Sequence, residues 1–99
     1  MTVNLSLTVN DAPIKTDYFV AGFIDHTVSG MMEALKGTGK IKNLHLDIEG
    51  VNVVINLNGT SIPTNPFTTR IIKNTIIGMV SDLKGVNGAI KKLSVVINK

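Results

Sequence analysis

His45 and Asp47 stand two residues apart in a run where Leu44, Leu46 and Ile48 alternate with polar neighbours. Such alternation reads as a half-buried strand, which puts both polar side chains on the open face of its sheet. A histidine beside a carboxylate could work as an oriented general base, or offer two positions to a metal. A tight hairpin through Glu49-Gly50 would set Asn52 opposite Asp47, giving a small ligand site of His45, Asp47 and Asn52. A metal needs at least a third protein ligand, and no other His or carboxylate is expected on that face, so no metal or other cofactor is expected. Ordinary polar alternation on a solvated sheet is the stronger expectation for the pair.

A second pattern, Gly37-Thr38-Gly39-Lys40, looks like part of a phosphate-binding loop. Such a loop follows a strand and opens a helix, so that free N–H groups and the positive helix end face the anion. Here the run follows a helical pattern and precedes a strand, at the electronegative end, and it lacks the full spacing. Its glycines read as a helix stop and a turn.

The third pattern is basic. Arg70, Lys73 and Lys84 fall on the expected outward side of a second helix, with Ile77 exposed among them. They could meet an acidic protein, a phosphate backbone or anionic lipid, although three charges on a helix usually mark a wet surface. His26 is expected on the outward face of a first helix with Asp25, Ser29 and Glu33 nearby, again as solvated polarity.

Composition narrows the classes. Ninety-nine residues of which 43% are hydrophobic and 17% charged make one packed domain, not a disordered tail. The net charge of +3 is mild, and four aromatics without Trp offer little to stack on bases, so nucleic acid is not the expected partner. With no cysteine, disulfides, thiol chemistry and Cys-based zinc or iron–sulfur sites are excluded. The metal-transport domains that need Cys-x-x-Cys are excluded with them. Asn10-Asp11-Ala12-Pro13-Ile14-Lys15-Thr16-Asp17 lacks the Gly-rich, Arg-bearing loop of an acylphosphatase. The alternating first residues do not form a signal-peptide core, and no window approaches the 18 apolar residues of a membrane span. No membrane partner and a cytoplasmic location are the default expectations.

The elements that must position these residues come in duplicate. At a shift of 48, and of 49 after one inserted residue, eighteen identities align in order, among them Asn10/Asn58, Ile14/Ile62, Phe19/Phe67, Gly30/Gly78 and Leu44/Leu93. The pattern reads as two tandem copies of a strand–helix–strand unit, with halves of about 1–50 and 51–99. Asp17 and Asn65 are the expected N-caps, and Pro66 suits a first helical position. Two helices of about twenty residues follow, carrying apolar stripes Val20, Ile24, Thr27, Val28, Met31, Leu35 and Thr68, Ile72, Thr75, Ile76, Met79, Leu83.

The order β-α-β-β-α-β predicts an α+β, ferredoxin-like two-layer sandwich. Its four-stranded antiparallel sheet would run 4-1-3-2, with strands one and three central and both helices on one face. Hairpin pairs Ile48–Val51, Leu46–Val53 and Leu44–Ile55 are expected between strands two and three. Lysines 40, 42, 91, 92 and 99 would then guard edge strands, and Gly30 and Gly78 would permit close helix packing. The sequence points to no enzyme class. It favours a small non-enzymatic binding or assembly module acting through its open sheet face or its edge strands. Val54 and Val96, apolar among amides, are the candidate contacts for a homodimer or another protein.

Overall fold

The computed structural model describes residues 4–36, 41–83, 85–86 and 88–99, the side chain of Lys36 excepted. The Gly37-Thr38-Gly39-Lys40 run and Lys84 therefore lie outside the described residues. Among the described residues eight elements follow one another: β1 Asn4–Val9, β2 Ala12–Ile14, α1 Tyr18–Lys36, β3 Asn43–Glu49, β4 Asn52–Leu57, β5 Thr60–Ser61, α2 Pro66–Val80 and β6 Lys92–Asn98. The sheet is antiparallel throughout and six-stranded, in the order β2-β1-β6-β3-β4-β5.

This overturns the ferredoxin-like expectation of four strands in the order 4-1-3-2. The cause lies in two short turns. Asn10-Asp11 (φ 50° and 68°) folds β2 back onto β1, and Asn58-Gly59 (φ 51° and 84°) folds β5 back onto β4. Left-handed φ at both central residues is the signature of a type I′ hairpin, whose twist matches that of its strands. A strand has two edges, and these hairpins occupy one edge each of β1 and β4. Only β3 and β6 keep both edges for long neighbours, so they form the centre. The expected guard of edge strands by lysine falls with the order, since Lys92 begins a central strand and Lys42 directly precedes the other.

The hairpin between β3 and β4 also differs. Gly50-Val51 forms the turn, Glu49 pairs with Asn52, and the inward pairs are Ile48–Val53, Leu46–Ile55 and Leu44–Leu57. Gly50 has φ +61° and Val51 is not left-handed, the φ pattern of a type II′ turn with glycine first. The expected register is thus displaced by two residues, which leaves every side chain on its expected face.

Three rows of apolar side chains cross the inner face. They are Val9–Leu93–Ile48–Val53, Leu7–Val95–Leu46–Ile55 and Leu5–Ile97–Leu44–Leu57. Most are fully buried, and together with Ile24, Val28, Met32, Ile72, Ile76 and Val80 of the helices they make one core. Both helices therefore cover the same face. The 48/49-residue correspondence carries the first row onto the third and the middle row onto itself. The pairing is thus two-fold symmetric about the β3–β6 centre.

Helix starts follow their expected caps: Val20 N–H donates to Asp17 Oδ1 (2.8 Å) and Thr68 N–H to Asn65 Oδ1 (2.7 Å), with Pro66 at the first turn. The stripes are turned slightly from expectation. Met32 and Val80 are buried while Thr75 is exposed, and α2 stops at Val80 after 15 residues. Gly85 is left-handed (φ +91°) and lies five residues past that end.

The sheet ends are closed by a repeated clamp. Asn58 Oδ1 accepts from Lys42 N–H (2.8 Å) and Asn43 N–H (3.0 Å), and its own N–H donates to Asn43 O (2.8 Å). Asn10 Oδ1 accepts from Lys91 N–H (2.8 Å) and Lys92 N–H (3.0 Å), and its N–H donates to Lys92 O (2.9 Å). Each asparagine takes the left-handed turn position that Asn tolerates and ties the start of a central strand to the neighbouring hairpin.

Candidate functional site

On the open face of the sheet, β3 places His45 and Asp47 near the middle. His45 Nε2 lies 3.1 Å from Asp47 Oδ2, and 3.4 Å from Ser94 Oγ on β6. Histidine, carboxylate and serine are thus together, but both contacts fall on the same ring nitrogen. An Nε2–H that donates to Asp47 has no lone pair to take a proton from Ser94, whereas a relay needs one ring nitrogen for each partner. Both side chains of the pair are about half exposed, where such a bridge is worth little.

Asn52 is not brought to this pair. The register puts Val54 opposite Asp47 and Asn56 opposite His45, and pairs Asn52 with Glu49 at the hairpin end. A shallow, open depression beside Asp47 is lined by Thr8, Asp11, Glu49, Val54, Lys92 and Ser94. Its carboxylates face Lys92, whose Nζ is 3.8 Å from Glu49 and 3.9 Å from Asp11. Among the described residues no group of three His, Cys, Asp or Glu is placed to hold a metal.

The interface candidates Val54 and Val96 are both on the open face but do not meet. Val54 is exposed on β4 and Val96 half-buried on β6, with His45 and Asp47 of β3 between them. On α2 Arg70 is exposed, Lys73 is half-buried and Ile77, expected in the open, packs against the core. With Lys84 outside the described residues, the basic row reduces to Arg70 and the partly covered Lys73.

Two features went unread in the sequence. Asp25, expected near the outward face, is buried: its side chain is 7% exposed, with Oδ1 3.1 Å from Lys99 Nζ and accepting from Ser29 Oγ at 3.2 Å. The clue was its place beside Ile24, one turn before Val28 and Ser29, which turns it toward the core stripe.

The second feature is the outer surface of the helices. The chain has one Tyr and three Phe, and every one of them is exposed there. Tyr18, Phe19 (71% exposed) and Phe23 sit on α1, and Phe67 (62%) sits on α2 with exposed Ile71 one turn on. Phe19 and Phe23 lean on each other, ring centroids 5.8 Å apart. The signal was present as Phe-x-x-x-Phe and Phe-x-x-x-Ile at helical spacing, opposite the apolar core stripe.

Gly30 and Gly78 lie on the same outward side, and a Cβ at either would meet nothing within 4 Å among the described residues. Close packing against the described residues, the reason expected for them, is therefore not found at either position. No helix among the described residues is long and apolar enough to cross a membrane. The chain matches no protein-family model, no curated protein and no solved structure.

Proposed function

We propose that this chain is a non-enzymatic assembly module, built from two copies of one ββαβ unit, that engages another protein through the outer face of its helices. The observation that carries this reading is the placement of all four aromatic residues in solvent, with Ile71, while the core is filled by aliphatic side chains. Phenylalanine is among the residues most often buried. An exposed apolar cluster on a helical layer is characteristic of a contact surface. The open sheet face supports contact less well, because its two valines are separated by a His–Asp pair. The anionic-partner reading is weakened by the cover over Lys73.

The test compares native masses of complexes carrying the wild-type chain, Phe23→Ser/Ile71→Ser, or Val54→Ser/Val96→Ser, each purified from the same host. Complexes lost with the helix-face variant and kept with the sheet-face variant support the proposal. Complexes indifferent to Phe23→Ser/Ile71→Ser, or lost only with the sheet-face pair, overturn it. So does a catalytic activity that disappears in His45→Ala.

A further inference from the structure

Resting on the assembly reading, we propose that the partner is a second copy of this chain, docked helix layer against helix layer. In this arrangement α1 of each copy lies antiparallel on α2 of the other.

On α1, Phe19, Phe23, Gly30 and Ala34 fall on one exposed side, and on α2 Phe67, Ile71 and Gly78 do the same. Each helix thus presents large apolar side chains in its first half and a bare backbone site in its second. A glycine on an exposed helix face sacrifices helix stability relative to alanine. Among the described residues nothing comes near the missing Cβ at Gly30 or Gly78. A seat for a partner's side chain accounts for both positions.

The intervals then match. Seven residues separate Phe23 from Gly30, and seven separate Ile71 from Gly78. One antiparallel register therefore sets Phe23 over the partner's Gly78 and Ile71 over the partner's Gly30 at once. The same register brings Ala34 level with Phe67, and Glu33 within a turn of Arg70, both exposed and of opposite sign. Pairing α1 with α1 in the equivalent way would instead set Glu33 level with Val20. A two-fold axis generates the α1–α2 contact twice, as a closed isologous dimer requires.

The size is sufficient. The molecule measures 34 × 34 × 18 Å, and its broad helical face is one of the two large sides. A copy covering about two thirds of that side would hide roughly 800 Å² on each partner, the scale of a stable specific interface.

The absence of cysteine makes a clean test available on the purified full chain. In the proposed register His26 is level with Thr75 of the partner. Chains carrying His26→Cys and Thr75→Cys should form a mixed disulfide dimer when combined and mildly oxidised, and far less dimer when either is oxidised alone. Phe23→Ala should weaken association at least about thirtyfold, as loss of an interface anchor does. Gly30→Ala/Gly78→Ala should weaken it without lowering the urea midpoint of the dilute chain, so misfolding cannot explain the loss. Asn56→Leu on the sheet face should leave association unchanged.

His26→Cys alone cross-linking as well as the mixture would overturn the α1–α2 register. A monomeric mass by light scattering at high concentration would overturn the second copy altogether. If helix-face complexes still appear in host material in that case, the assembly reading survives its loss. A monomer that sediments with phosphatidylglycerol vesicles through Phe23 would show a bilayer as the occupant, and would likewise overturn the second copy.

Discussion

The two halves of the chain share their scaffold and part company in their polar chemistry. Asn10 and Asn58 make the same pair of backbone bonds at opposite ends of the sheet, and Asp17 and Asn65 cap their helices alike. Yet His45 and Asp47 correspond to Ser94 and Val96, and the buried Asp25 corresponds to Lys73, half-buried on the other helix. What does recur on the surface is apolar: Phe19 with Phe67, Phe23 with Ile71, Gly30 with Gly78. A polar pair present in one half is an ordinary difference between two surfaces. An apolar stripe present in both halves, exposed and without a partner among the described residues, needs a reason outside the fold.

The largest expected effect tests the equivalence of the clamps. Asn58→Ala removes an acceptor for two strand N–H groups, worth about 1 kcal/mol each, and forces Ala into a left-handed turn at about 1 kcal/mol more. A loss of roughly 2–4 kcal/mol in urea unfolding should follow, and Asn10→Ala should fall in the same range. Asn58→Gly should recover only the backbone share. A clamp that can be removed freely in one half alone would break the symmetry that the sheet register displays.

The next effect tests the difference between halves. Asp25→Leu leaves Lys99 without its carboxylate. Lys99 keeps 24% of its side chain exposed and can turn toward water, so the cost should be about 1–3 kcal/mol, less than for a fully enclosed pair. Asp25→Leu/Lys99→Met should restore stability to the wild-type value or above it, because a well-packed apolar pair avoids the desolvation of two charges. A double variant no better than Asp25→Leu would mean that the ion pair itself fixes the position of α1.

Much of this architecture was legible in the sequence. Period-two alternation located the four long strands and their faces, and capping chemistry located both helix starts. The strand order was not legible from periodicity, because a central and a flanking strand of one antiparallel sheet alternate alike. It was decided by the turns Asn10-Asp11 and Asn58-Gly59, and of these Asn58-Gly59 carries the strong Asn-Gly hairpin signal. The site was legible in part for a related reason. His45 and Asp47 share a face at any register, so their meeting was fixed. The partner of Asp47 was not, since a slip of two residues preserves every inside–outside assignment. Asp25 escaped because a carboxylate bordering an apolar stripe is normally assigned to solvent, and Lys99, which pairs with it, lies far away in sequence.

The smallest effect is the most diagnostic for the shared stripe. Gly30→Ala and Gly78→Ala add a methyl group into open space on an isolated chain, and alanine favours the helix over glycine by up to about 1 kcal/mol. Each should therefore raise stability by about 0.5–1 kcal/mol in urea unfolding at concentrations where the chain is alone, and by similar amounts in the two halves. If the glycines served the fold, the same changes would destabilise it. If they serve contact with another copy, stability rises while association weakens, and the two measurements move in opposite directions for one added carbon. A crowded site inside the molecule would make both fall together, and an idle surface would leave association untouched.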